Sequence, residues 1–313
     1  MPLSLNGPRA KHVRAHACYD ILCREIESVE SARPYNIRCE VDEQVGRYDF
    51  YVNGLTSTDA VWGLQIGDIV HNLRCALDHL AVLLVALCTQ QDPATIDFVQ
   101  FPICESPDRF KDWLSRLRAD AKKRHLDEPL LLGYRTRLEE LQPYSAWDPS
   151  IWGSENTGFV TLASSLQRIA DLDNIDKHRV IHATWYGVKP FISPDKHVVF
   201  PDGFTFTGAG TCPDPQAEDT KVGSWTFAVP LPTSWIPEQG DMKACFPLQV
   251  CIEDPSIVHG VRHILCDCLF AVQGVLDIFD PVFVEYGVKI DPPLPLTSLL
   301  VTHSRRTPNA EFR

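Results

Sequence analysis

Between Asp68 and Leu80, the side chains of Asp68, His71, Asn72, Arg74, Cys75, Asp78 and His79 interrupt an otherwise apolar pattern. Polar groups of this kind are costly to bury, so they must be paired, bound to a ligand, or open to a cleft. At about 100° of turn per residue, all but Arg74 fall within about a third of a helix circumference, and Arg74 lies on the flank of that stripe. The chemistry on offer is proton transfer by imidazole near neutral pH and stabilisation of developing negative charge by guanidinium. A second polar knot, Asp173, Asn174, Asp176, Lys177, His178 and Arg179, closes a later helix. Both knots carry both signs of charge. A network of Arg74, Asp78 and His79 with Asp176, Lys177, His178 and Arg179 is therefore expected to fix helix register, whether or not it catalyses anything.

Metal ligation is a further reading, with His71 and His79 joined by Asp68 or Asp78 and by His178. The two histidines are two turns apart, about 12 Å along a straight helix, which is too far for one ion unless the helix bends. His259 and His263 are four apart with Cys266 and Cys268 beyond, but no glutamate follows His259 as it does in zinc proteases, and core packing is the expected role. No metal or cofactor is assigned. The chain has no P-loop, no G-x-G-x-x-G and no G-x-S-x-G, so nucleotide hydrolysis and serine-hydrolase chemistry have no motif behind them.

Arg74 and His79 match R-x4-H, and this string resembles the motif of HEPN-type helical-bundle ribonucleases. The resemblance implies metal-independent cleavage of RNA, commonly at a homodimer interface. His79 would serve as general acid or base, Arg74 would stabilise the phosphorane-like transition state, and Asp78 would lie within the same site. It covers about a dozen residues. Cys75 stands where the family usually has a polar residue such as Asn, and the motif lies on the second long helix where the family usually has it on a late one. The alternative from a different class is a binding or scaffold protein. Its aromatic-rich sheet would recognise a partner, and His71, Asn72, Asn174, Asp176, Lys177, His178 and Arg179 would belong to a structural network.

The elements that position these groups follow from periodicity. Val13, Ala17, Ile21 and Ile26 mark an amphipathic helix over 10–32. Alternation in 35–41 and again in 48–52 predicts a hairpin. The polar stretch sits within a helix over 59–89, on the order of 45 Å long, which would be the central mast of a bundle. Gly63 and Gly67 would let a neighbour approach it closely. A short edge strand is expected over 98–103, interrupted by Pro102. Ser106-Pro107-Asp108 starts a helix to about His125, whose Arg116, Arg118, Lys122, Lys123 and Arg124 form the compact basic cluster of the chain. Helices are expected over 129–141, from 157 to the second knot, and over 257–279. An antiparallel sheet of about five strands lies between the last two.

The fold class is thus α+β: a helical bundle around a long central helix, with an N-terminal β-hairpin and an inserted antiparallel sheet. One interleaved domain over 1–291 is expected, with helical core 10–179 and 257–280, β-rich insertion 180–253, and a flexible tail over 292–313. At 313 residues, 44% hydrophobic and 22% charged, the chain can bury a large core. Its net charge of −12 opposes non-specific binding to nucleic acid, so RNA would need a local basic patch. Eleven cysteines without a Cys-x-x-Cys pair, and a polar stretch over 1–11, lead us to expect a reducing cytoplasm. The longest apolar run, Leu80 to Cys88, is shorter than the roughly 20 residues of a membrane span, so no membrane partner is expected.

Overall fold

The architecture comes from a computed structural model that describes residues 3–32, 35–42, 44–54, 60–126, 128–130, 132–147, 157–178, 181, 183–187, 205–207, 220–226, 248–252 and 260–285. Helix α1 (Asn6–Ala32) leads into the hairpin β1 (Asn36–Asp42) and β2 (Arg47–Asn53), and then into α2 (Ala60–Thr89). Helices α3 (Pro107–Lys123), α4 (Leu132–Glu140) and α5 (Thr157–His178) follow, then strands β3 (Ala183–Gly187), β4 (Thr205–Thr207), β5 (Thr220–Thr226) and β6 (Leu248–Ile252), and finally α6 (Val261–Glu285). The fold is α+β, as the periodicity predicts.

Helix α2 packs against α1, α5 and α6 and is the central helix of the bundle. Its buried face runs from Trp62 through Ile66, Ile69, Val70, Leu73 and Leu77 to Leu80, and from Leu83 to Leu87 every residue is buried. By length and composition it could cross a bilayer, with a mean hydropathy of 1.5 over its most apolar window, 56% of which is buried inside the fold. The core helix of a soluble protein passes the same test.

Helix α1 begins four residues earlier than periodicity suggests. Ser4 Oγ accepts from the Asn6 amide, and Pro8 sits in the first turn, where its missing N–H is no loss. Helix α1 lies antiparallel along α6, fastened at intervals. Arg9 pairs with Asp280, His12 Nε2–H donates to the Leu269 carbonyl at 3.0 Å, and the Tyr19 hydroxyl donates to the Arg262 carbonyl at 3.1 Å. Glu30 then pairs with Arg262 and accepts from the Val250 amide at 2.9 Å, tying the end of α1 to both β6 and α6.

The inserted segment does not form one separate sheet. Strands β5 and β4 extend the N-terminal hairpin into a four-stranded antiparallel sheet ordered β1-β2-β5-β4, while β3 and β6 form their own antiparallel pair. The outer edge of β2 leaves ladder groups that need a partner, and β5 supplies one across a bulge at Phe50/Tyr51. Residues 188–204 of the expected β-rich insertion and the tail over 292–313 lie outside the described residues. Helix α3 stops at Lys123 because His125 takes a left-handed φ of 59°, and the amides of His125 and Leu126 return to the carbonyls of Lys122 and Ala121. Helix α4 is shorter than expected, and α6 continues through Pro281 to Glu285.

His12 is 6% exposed, and burial lowers its pKa from the usual 6.5, partly offset by the bond to Leu269. The folded state therefore binds fewer protons at this site than the unfolded chain, and its stability falls as pH drops through the unfolded value. Urea unfolding of wild type between pH 7 and 5 should lose stability relative to His12→Gln, by at most about 1.4 kcal/mol per pH unit. Parallel pH profiles for the two proteins would contradict this role.

Candidate functional site

Residues 98–104 depart from the expected edge strand, because they form no strand. Their backbone is satisfied by side chains. Phe101 N–H donates to Asp78 Oδ1 at 2.8 Å, the Phe101 carbonyl accepts from Arg74 Nη2 at 2.8 Å, and Trp113 Nε1 donates to the Gln100 carbonyl at 3.2 Å. Gln142, fully buried, accepts from the Cys104 amide at 2.8 Å and donates to the carbonyls of Pro102 at 3.1 Å and Leu138 at 2.6 Å. Arg74 and Asp78 also pair with each other at 3.1 Å, one turn apart on α2. The segment is thereby pinned to α2, α3 and the end of α4. Nothing in the sequence marked Gln142, whose role depends on contacts about 40 residues away.

Behind this segment opens a cleft of about 620 Å³, walled by residues 98–104, α3 and α5, with Arg74 from α2 at its back. Arg109, Arg116, Lys177 and Trp113 line it together with Asp112, Asp120, Asp173 and Asn174. Arg74 is committed to Asp78, and Lys177 sits 2.5 Å from Asp173. Among the described residues, Arg109 makes only a loose, exposed pair with Glu105 at 3.7 Å. Arg116 bonds the Asp112 carbonyl at 3.4 Å and makes no ion pair among the described residues. Much of the basic cluster is spent elsewhere. Arg118 grips Glu128 at 3.2 and 3.0 Å, Lys123 meets Asp120 at 2.7 Å, and Arg124 pairs with Asp97 at 2.5 Å while lying over the Phe98 ring.

The two polar knots do meet, but in a different register from the expected network. Asp176 lies against Gly67, where an added Cβ would stand 2.0 Å from its Oδ1, so this glycine is what lets α5 approach α2. Burial raises the Asp176 pKa, and the neighbouring carboxylates of Asp173 and Asp68 add to the rise. Asp173, 3% exposed, takes Lys177 on Oδ2, while its Oδ1 has no hydrogen-bond partner among the described residues and lies 3.7 Å from His71 Nδ1. Asn72 meets Lys11 of α1 at 3.5 Å and bonds the Asp68 carbonyl at 2.7 Å. His79, exposed, faces α1 beside Gly7, and His178 is exposed at the end of α5. Arg179 lies outside the described residues.

Arg74 and His79 are therefore not brought together within one chain. Five residues turn an α-helix by about 140° beyond a full circle, which sets Arg74 toward residues 98–104 and His79 toward α1. Among the described residues, no group of three or more His, Cys, Asp or Glu side chains could hold a metal ion. His263 is exposed and lies 3.7 Å from Asp267, Cys266 and Cys268 are buried, and His259 falls outside the described residues. No family model, curated protein or solved structure matches the chain.

Replacing Asp78 by Ala would leave the Phe101 amide without an acceptor and the Arg74 guanidinium without its carboxylate. Loss of about 1–3 kcal/mol in urea-unfolding stability is expected, while Asp78→Asn, which keeps an acceptor oxygen, should lose less. Equal losses for the two variants would contradict the bond to Phe101.

Proposed function

We propose that the protein is a binding protein whose cleft takes a compact phosphate-bearing anion of mononucleotide size. The observation that carries this reading is Arg116, a guanidinium with no carboxylate partner among the described residues, lining one cleft with Arg109 and Lys177. A planar guanidinium recognises phosphate through paired N–H donors, and the cleft volume of about 620 Å³ falls in the usual range for small-molecule sites. Asp112 and Asp120 in the same lining favour a ligand that also offers hydroxyl donors, as a ribose does. Trp113 supplies an aromatic face for a base, with Phe110 stacked behind it at 5.5 Å. The nine described cysteines form no disulfide with one another, which supports a reducing compartment such as the cytoplasm.

The second reading is metal-independent RNA cleavage, favoured by the presence of Arg74, the arginine of the R-x4-H string, in the lining of this same cleft. Because His79 faces the other flank of α2, this reading needs a homodimer in which a second copy brings a histidine to the first copy's Arg74.

Calorimetric titration with adenosine monophosphate, uridine monophosphate and inorganic phosphate tests the binding reading. Saturable binding of a mononucleotide, weakened about tenfold or more by Arg116→Ala, is expected, equivalent to about 1.4 kcal/mol or more. No heat from any of the three overturns it. Degradation of RNA that resists EDTA and is lost in His79→Ala would replace it with the ribonuclease reading, whereas RNA left intact by wild type removes that second reading.

A further inference from the structure

On the α5 side of the polar stripe, apart from the cleft-facing Arg74, three groups are arranged in series. Cys75 Sγ lies 3.5 Å from His71 Nε2, one helical turn away, and the other ring nitrogen, Nδ1, lies 3.7 Å from Asp173 Oδ1. The order thiol, imidazole, carboxylate is the one in which a base accepts a proton from a nucleophile while a third group orients the ring. Asp173 suits the last place. Its side chain is 4% exposed, its other oxygen is held by Lys177, and Oδ1 has no hydrogen-bond partner among the described residues. Cys75 is half-buried and His71 is 56% exposed, so a small reagent can reach the sulfur.

We propose that Cys75 is a thiol-exchange site, with His71 as its base and Asp173 as the residue that positions His71, and that its substrate is a small anionic disulfide. Exchange needs no oxyanion hole, only an accessible sulfur and somewhere for its proton to go. The Cys75 proton passes to His71 Nε2, the sulfur attacks one sulfur of the disulfide, a new S–S bond forms and the old one breaks. The departing thiolate takes the proton from His71. Cys75 ends oxidised as a mixed disulfide and the departing half ends reduced as a thiol, so the incoming disulfide is the only oxidant required.

The charged groups facing Cys75 are Lys11 from α1, Asp78 from its own helix, and Asp173 and Lys177 from α5. Burial holds its thiol up, the two lysines pull it down and the two aspartates oppose them. The resting group is thus a protonated thiol, which is why an imidazole in contact decides its reactivity. Lys11, at Asn72, and Lys177 flank the site and match the carboxylates of an anionic disulfide.

The full-length chain incubated with oxidised glutathione and followed by peptide mass mapping tests this. Cys75 should be modified about tenfold or more faster than Cys39, also half-buried but pushed up to about 11 by burial. His71→Ala, an exposed substitution that circular dichroism should show to be folded, should slow Cys75 about tenfold or more, with partial rescue by added imidazole. Bis(2-hydroxyethyl) disulfide, which is neutral, should react several-fold more slowly than oxidised glutathione after correction with a small-molecule thiol. Asp173→Ala should slow Cys75 several-fold while Cys39 keeps its wild-type rate, and Asp173→Glu, which keeps a carboxylate, should recover part of the loss. Modification of Cys75 no faster than Cys39, or a rate indifferent to His71→Ala, overturns the proposal. Equal corrected rates for the two disulfides overturn its anionic substrate, and a Cys75 rate unchanged in Asp173→Ala overturns the role of Asp173.

Discussion

The backbone of residues 100–104 is held by side chains where a β-ladder would normally hold it, and the attachment of this cleft wall to α2, α3 and the end of α4 depends on that substitution. Phe101 is 1% exposed, so its N–H and C=O cannot turn to water. Asp78 and Arg74 meet both groups and neutralise each other in doing so, and Gln142 meets Pro102 and Cys104 from the far side. An unmet buried polar group costs about 1–3 kcal/mol, so each clamp contributes a sizeable share of a typical domain's net stability. The same bonds fix the cleft wall. Trp113 is oriented by Gln100, and Arg74 at the back of the cleft is held by Phe101 and Asp78.

A single stripe of polar residues on α2 thus serves three neighbours, and helical angle decides which. Arg74 and Asp78 look toward residues 98–104, His71 and Cys75 toward α5, and Asn72 and His79 toward α1. The stripe divides labour along its width. Structural anchoring occupies one margin, contact with α1 the other, and the Cys75–His71–Asp173 series the middle.

The helices and the first hairpin were legible because period and caps agree. Ser106 caps α3 as its position before Pro107 implies, and alternation over 48–52 gives β2. The close approach at Gly67 was legible too, since a glycine within an apolar helix marks a site where a neighbour comes near. The extension of the hairpin by β5 was not, because β5 is paired with a segment about 170 residues distant and pattern alone does not choose between sheet edges. Residues 98–103 read as a strand because extended backbone and apolar content look the same whether the hydrogen-bond partners are another strand or Asp78, Arg74 and Gln142. For the polar knots, complementarity of charge indicated that the two stretches meet. It could not indicate that Asp173 would meet His71 while Asp78 turned to a backbone amide.

The central claim is that side chains lock residues 100–104 as firmly as a ladder would. Native-state hydrogen exchange of the Phe101 and Cys104 amides tests it most directly. The account predicts protection comparable to that of buried amides in α2, lost at Phe101 when Asp78 is replaced by Ala. Exchange of both amides in wild type at the rate of an open surface loop would contradict it.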